Sequence, residues 1–404
     1  MIFRLTFAVY ESKIYIGNVS YRSLILALGL IARIRGERET VGIDVGHYSI
    51  KYVKVYHDAN GKRIVREVDL EPVPVGSIIN GIIQRRGSDD MAGEKKEKDG
   101  FDMLGEAFSK LMLRHPIDDN VDVVASVNCG AGEGGVLVDR MSIKVPKNGN
   151  EDAIIVQTAQ SRPPFDDQDN VLDYEVVARE GDEVKVNVVA AKNSMLESWS
   201  QFFTRKGIKL SALDVDIFGL LNSFVTTASD EDRKKTTAVF NIGDNKMSVG
   251  FIQDGTFHSV RSMNGGSLNV IINKLSSSLD VPPEKCHEMF EKNDLKVIEG
   301  VAISVLEDAM KVAFEELMSQ ITFGIRYYSS AEDSRPLEKI LIGGGGAAVP
   351  GLLDYIAEKT GIETDTVNPF RSVECDSSVV GTEGISIALS NIYAPALGLA
   401  MRKF

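Results

Sequence analysis

Three short stretches of this chain carry residue types suited to gripping a polyphosphate. Ile43-Asp44-Val45-Gly46 and Phe240-Asn241-Ile242-Gly243 each end an apolar run with a polar residue, one apolar residue and a glycine. Each is followed by a second strand-like run, HYSIKYVKV and DNKMSVGFI. Glycine at such a turn lets backbone N–H groups approach phosphate oxygens. Asp44 is a carboxylate that suits a hydrated magnesium ion, and Lys51 offers positive charge for a β- or γ-phosphate. Either turn alone is ordinary hairpin chemistry; two of them, facing one another, are more specific. The third stretch is Gly343-Gly344-Gly345-Gly346, between an apolar strand and a helix. Four glycines clear a surface on which a flat adenine ring and ribose can lie, whereas a mere connector would spend ordering entropy on glycine for no return. Asp216, in DVDIFGLL, is either an acid able to position water or an N-cap for the helix IFGLLNSF, and the residues do not choose between them.

Those residues need elements to hold them, and the patterning supplies these. TVGIDVG, SIKYVKVYH and KRIVREVDLEPV read as three strands, joined in part by a turn at Asn60–Lys62. VDVVASVNC and GVLVDRMSIKV read as strands, EDAIIVQTAQSR as a short helix stopped by Pro163 and Pro164, and VLDYEVVA and EVKVNVVAA as a hairpin turning at Gly181-Asp182. Ser194 with Glu197 predicts a capping box, and Gly207 a left-handed stop. In the second half TAVFNIG, MSVGFIQDG and TFHSVRSM are strands, the last two joined at Asp254-Gly255. Ile303, Leu306, Met310, Phe314, Leu317, Ile321, Ile325 and Tyr328 form the apolar stripe of a long helix. Arg85 to Gly100 is polar and of mixed charge, a solvated loop.

Composition removes several function classes. The 404 residues carry a formal net charge of −13 and 43% hydrophobic residues, a soluble globular balance that lacks the basic face of sequence-independent nucleic-acid binding. Cys129, Cys286 and Cys375 lie far apart, so a reducing, cytoplasmic compartment is expected. LILALGLIA, Leu24 to Ala32, is too short to span a bilayer and is followed by Arg33 and Arg35 rather than a signal-peptide cleavage site. The first 40 residues are net basic against an acidic remainder, and patterned sequence begins at Val41. His57, His115, His258 and Cys286-His287 show no ligand spacing and are expected to serve surface or packing roles. Trp199 and Phe203, four apart, are expected in the core.

The two turns, the glycine loop and the closing YAPALGLAMR resemble the actin-like ATPase superfamily, with the FtsA and PilM families nearest and PilM the closer. VGIDVGHYSIKYVKV, RPPFDDQDNVLDYEV, GIKLSALDVDIFGLLNSF, NGGSLNVIINKL and GGGGAAVPGLLDYIAEKTGIETDTVNPF carry the likeness from about Thr40 to Met401. It implies an α/β fold of two lobes with duplicated ribonuclease-H-like cores and a small α+β subdomain, binding ATP and Mg2+ in a cleft. The first lobe would comprise 41–118, 193–232 and 372–404, the small partner-binding unit 119–192, and the second lobe 233–371, with 1–40 outside. Gly46, His47, Tyr48, Ser49, Lys51, Gly243, Asp244, Gly343, Gly344, Gly345 and Gly346 would meet the nucleotide, Asp44 and Asn241 the metal through water, and Asp216 would be the catalytic acid. A PilM-like protein works at the inner membrane, where the small unit receives the N-terminal cytoplasmic tail of a PilN-like protein, and it connects to the motor ATPases of type IV pilus assembly.

Departures from the family pattern bear on turnover. A Ser or Thr usually follows the first glycine, where its hydroxyl meets the γ-phosphate; His47 stands there, with Ser49 two residues on. The second turn usually opens with Asp; Asn241 is neutral and a poorer ligand for a hard cation. The resemblance therefore implies at most a slow ATPase. An FtsA-like division protein would carry a C-terminal amphipathic membrane helix, for which Arg402-Lys403-Phe404 leaves no room. A sugar kinase on the same fold would need a substrate-directed base and larger insertions.

Overall fold

The computed structural model describes residues 37–85, 99–130, 134–263, 265–292, 294–380 and 387–402. Most of the 1–40 extension and of the Arg85–Gly100 loop lies outside them. The apolar runs form strands where expected: β1 (Arg38–Val45), β2 (Ser49–His57), β3 (Arg63–Pro72), then a miniature hairpin of β4 (Ile78–Ile79) and β5 (Ile82–Ile83). After helix α1 (Gly100–Arg114) come β6 (Asp122–Val127), β7 (Val136–Lys144), α2 (Glu151–Gln160), β8 (Asn170–Glu180) and β9 (Glu183–Lys192). Helix α3 (Asn193–Arg205), β10 (Leu210–Val215), α4 (Asp216–Thr227) and a short α5 (Asp230–Lys234) lead to the second half. There β11 (Thr237–Ile242), β12 (Met247–Gln253) and β13 (Thr256–Met263) precede α6 (Leu268–Leu279), α7 (Pro283–Lys292) and the long α8 (Ile303–Ser329). The chain ends with β14 (Lys339–Gly343), α9 (Leu352–Thr360), β15 (Glu363–Thr366), β16 (Glu374–Cys375), α10 (Ser377–Val380) and α11 (Ile387–Ala400).

Strand order exposes a duplication. The first sheet runs β10-β6-β1-β2-β3-β16, and the second β13-β12-β11-β14-β15, which is the first series read from the other end without its β16 edge strand. In each, the leading strand pairs antiparallel with the next and parallel with a later one. Register is conserved: Asp44 faces Lys51 across β1–β2, and Asn241 faces Ser248 across β11–β12. Central strands such as Val41–Val45 and Ala238–Ile242, apolar but for Asp44 and Asn241 near their ends, are buried on both faces because helices cover both sides. This is the expected two-lobed α/β architecture.

Helices α4 and α11 cross so closely that the crossing dictates glycine. A Cβ on Gly398 would lie 1.7 Å from the Gly219 carbonyl oxygen, and one on Gly219 would lie 2.7 Å from that of Pro395. The YAPALGLAMR segment is therefore packing sequence. Its Arg402 reaches the buried Asp214 at the end of β10, an ion pair sealed inside the first lobe. Helix α4 also contacts β11 and β12, so it joins the lobes behind the cleft.

The small unit is a three-stranded sheet, β7-β9-β8, with α2 across one face. Met141, Ile143, Ile155, Phe165, Val186 and Val188 form its own core. Two expectations need correction here. The unit expected over 119–192 contains β6 by sequence, yet β6 pairs with β1 and β10 in the middle of the first sheet, so the separate sheet begins at Val136. The cause is edge pairing: between two parallel strands β6 can satisfy its backbone on both sides, which the small sheet cannot offer. The predicted capping box is also absent. Helix α3 starts at Asn193, Asn193 bonds Glu197, and the Ser194 hydroxyl instead reaches Asp169. Gly207 does take the left-handed conformation, at φ 74°. Trp199 and Phe203 are core, with Trp199 Nε1 donating to the Gly81 carbonyl at 3.1 Å.

Candidate functional site

Between the lobes lies a cleft of about 340 Å³, within the range of small-molecule sites. Both repeated turns open into it. In the first, Gly46 N–H bonds Ser49 O at 3.0 Å; in the second, Gly243 N–H bonds Lys246 O at 2.9 Å. They are the same turn made twice. The Lys51 side chain crosses over the first turn, its Nζ 2.6 Å from where a Cβ on Gly46 would lie. The second turn is held from behind by helix α6: Leu268 N–H bonds Gly243 O and Asn269 N–H bonds Asp244 O, using two of the free donors at that helix start. This is what the NGGSLNVIINKL segment does.

Asp44 is buried between two partners, accepting from Ser126 Oγ at 2.7 Å and pairing with Lys51 Nζ at 3.0 Å. Ser49, Tyr48 and Lys51 line the same cleft. Across from them, Asn241 Nδ2 donates to Asp216 Oδ2 at 3.2 Å. Asp216 heads α4 and accepts from the Cys129 and Ile217 N–H groups through Oδ1. Burial pushes its carboxyl up to about 7, the nearby Asp44 charge adds to that, and the Cys129 N–H opposes it. Asp216 is not the N-cap, which is Val215, but the first residue of α4, and its carboxyl faces the cleft.

The four glycines divide into two pairs. Gly344 and Gly345 line the cleft, and a Cβ on Gly345 would meet only Leu268, at 3.4 Å. Gly343 and Gly346 do not face it: their Cβ atoms would strike Leu220 at 2.7 Å and Ile242 at 2.5 Å. The expectation that all four clear one surface is corrected: Gly343 and Gly346 are glycine for packing, and of the two that line the cleft only Gly345 is open, since a Cβ on Gly344 would meet Asn241 Oδ1 at 2.7 Å.

The cleft also gathers residues the sequence reading left aside. Lys246, at the repeat position of Ser49, places a cation in the cleft, where burial lowers its pKa and the Asp216 charge acts the other way. Aligning the two turns residue by residue is the signal that finds it. Asn80 and Gly81, from the tip of the miniature hairpin, and Asn128, beyond β6, line the near side. His287, expected at the surface or in local packing, stacks on Tyr48 across the cleft mouth, with ring centroids 5.4 Å apart and planes 6° apart. The Tyr48 hydroxyl bonds Glu291 of the same helix, α7.

Among the described residues no group of three or more His, Cys, Asp or Glu side chains is placed to hold a metal ion. A magnesium ion carried on phosphates needs less, since it keeps several waters and takes one or two protein carboxylates. Asp44 and Asp216 fit that second-sphere role. Asn241 fits it less well, because its amide nitrogen is given to Asp216. No helix among the described residues is long and apolar enough to cross a membrane.

The fold resembles a solved PilM-PilN type IV pilus biogenesis complex, with a TM-score of 0.70 and 18% identity over 90% of this chain and 97% of that one. More distant are the ethanolamine utilization protein EutJ from Carboxydothermus hydrogenoformans, with a TM-score of 0.49 and 13% identity over 90% and 89% of the two chains, and MreB5 of Spiroplasma citri bound to AMPPNP, with 0.46 and 10% over 89% and 94%. Residues 126–404 match the family of type IV pilus assembly protein PilM. The chain belongs to the PilM family.

Proposed function

We propose that this chain is an ATP-binding adaptor of type IV pilus assembly, closing around nucleotide with magnesium and turning it over slowly or not at all. One observation carries the reading: two equivalent glycine turns face each other across a single cleft beside the Gly344–Gly345 segment, open at Gly345. The turns would take the phosphates, Lys51 and Lys246 would balance their charge, and the glycine surface would take the adenosine. Bound magnesium would supply charge neutralisation at the phosphates, with Asp44 and Asp216 meeting its waters.

Slow turnover follows from what the site lacks. Phosphoryl transfer to water needs the attacking water and terminal phosphate held in place by fixed charges. A missing preorganised contact costs about 3 kcal/mol, roughly a hundredfold in rate. Here His47 replaces a hydroxyl, and Asn241 replaces a carboxylate. Asp216 is the residue best placed to orient water. Occupancy, rather than fuel consumption, would then be what the assembly senses.

The small unit is the proposed seat of a PilN-like cytoplasmic tail, which would place this chain at the inner membrane through that partner. The solved PilM-PilN complex motivates this partner. Phe165, which follows Pro163-Pro164, is buried in the unit's core and offers no exposed side chain to a peptide. Strand β8 is at the edge of its sheet, and an unpaired edge can accept an extended peptide. A deletion test must spare β6. Val136 and Ala191 are paired neighbours within the first-lobe core, so replacing 137–190 by a short Gly-Ser link spans a paired position and keeps both residues. The variant should fold, keep nucleotide binding and lose co-purification with membranes carrying the PilN-like partner; undiminished recovery with those membranes would refute the assignment.

A further inference from the structure

The most specific contact in the cleft joins the two turns to each other. His47 Nδ1 donates to Asp244 Oδ2 at 2.7 Å. These two residues hold the same place in the repeat: each directly follows the turn glycine, Gly46 or Gly243. His47 thus reaches from the first lobe to its counterpart in the second. Asp244 also accepts from Asn269 Nδ2 at 3.0 Å, which fixes the carboxylate to helix α6. Its other oxygen, Oδ1, is buried without a hydrogen-bond partner. A buried carboxylate oxygen left unpaired is costly, so the contact holds the lobes together at a disadvantage that opening would relieve.

A phosphate group cannot enter between two side chains in hydrogen-bond contact. Any polyphosphate gripped by both turns has to separate His47 from Asp244 first, and then meets the Asp244 charge at close range. We propose that the His47–Asp244 pair is a clasp that shuts the phosphate end of the cleft, so that polyphosphate binding and the clasp exclude one another. This rests on the nucleotide reading above and adds to it which residue sets the threshold for occupancy. Tyr48, adjacent to His47, makes the neighbouring cross-lobe contact with His287 and Glu291, so one short loop carries two adjoining contacts at the cleft mouth. A nucleoside without phosphates would reach only the Gly344–Gly345 surface and would be indifferent to the clasp.

The test compares wild type with His47→Ala and His47→Gln in two readouts. Spin labels at exposed Val75 and Val305, on opposite lobes, in a Cys375→Ser background report lobe separation without ligand. Calorimetric titration with adenosine, tripolyphosphate and ATP-magnesium reports binding. His47→Ala should broaden the distance distribution and raise affinity for tripolyphosphate and ATP about fivefold, the strength of a partly exposed ion pair. Adenosine affinity should not change, and His47→Gln, which keeps a donor for Asp244, should stay near wild type. An unchanged distance distribution in His47→Ala would overturn the clasp, as would weaker ATP binding, which would make His47 a phosphate ligand. Adenosine binding with no gain for ATP refutes the competition alone; absence of binding by adenosine, tripolyphosphate and ATP in every variant refutes the nucleotide reading together with it.

Discussion

The two turns share one backbone and differ in every chemical detail. The first carries Asp44 and Lys51, a buried pair satisfied from both sides by Ser126 and by each other. The second carries neutral Asn241 opposite Ser248, and its charge has moved outward to Asp244 and Lys246. Duplication therefore fixes the geometry of a phosphate grip but leaves the electrostatics free to diverge. In this chain the first turn holds the charges expected of a nucleotide site. The second has become a partner for the first, through His47 and Asp244. An adaptor that reports occupancy needs a cleft able to close more than it needs a complete catalytic set.

Breaking the asymmetry should begin at its most buried charge. Asp214 and Arg402 lie sealed within the first sheet, and nearby burial drives the Asp214 carboxyl upward while Arg402 acts against it. Arg402→Ala leaves that carboxylate unpaired and should cost about 3–5 kcal/mol, seen as a large fall in the urea midpoint. The ligand-free protein should next show the signature of Asp216. With its carboxyl at about 7 when folded, against an ordinary value near 4, the protonated acid is favoured by folding. Stability is therefore lost as pH rises from about 4 to about 7, by roughly 2–4 kcal/mol. Asp216→Asn should flatten that slope in urea denaturation at stepped pH.

Smaller effects separate the glycines. Gly346→Ala drives a Cβ into Ile242 and should cost about 1–3 kcal/mol of stability, whereas Gly345→Ala, with room around it, should keep its Tm and weaken adenosine binding. Smallest is Asn241→Asp, which makes the second turn more like the first. It sets two carboxylates within hydrogen-bond reach, so one retains a proton, and ligand-free stability should fall by about 1 kcal/mol at pH 8 and recover at pH 6. With ATP and magnesium, phosphate release should quicken.

Strands, both turns and the long helix were legible because alternation, β-branching and glycine position act locally. Asp44, Lys51 and Asp216 were legible as residues that would come together, and they line one cleft. What was not legible depends on neighbours distant in sequence. Whether a glycine faces a cleft or a packed Leu220 is set by another element, and so is the sheet to which Asp122–Val127 belongs. His287 shows the limit well: nothing in Cys286-His287 indicates that Tyr48, from the other lobe, will lie over its ring.

The central claim is occupancy without rapid turnover, and one single-turnover experiment tests it. Wild-type protein is mixed with a substoichiometric amount of γ-labelled ATP and magnesium, and bound nucleotide and released phosphate are followed together. Retained ATP with phosphate release slower than about one event per several minutes is the predicted result. Brisk release from wild type that Asp44→Ala abolishes would contradict it.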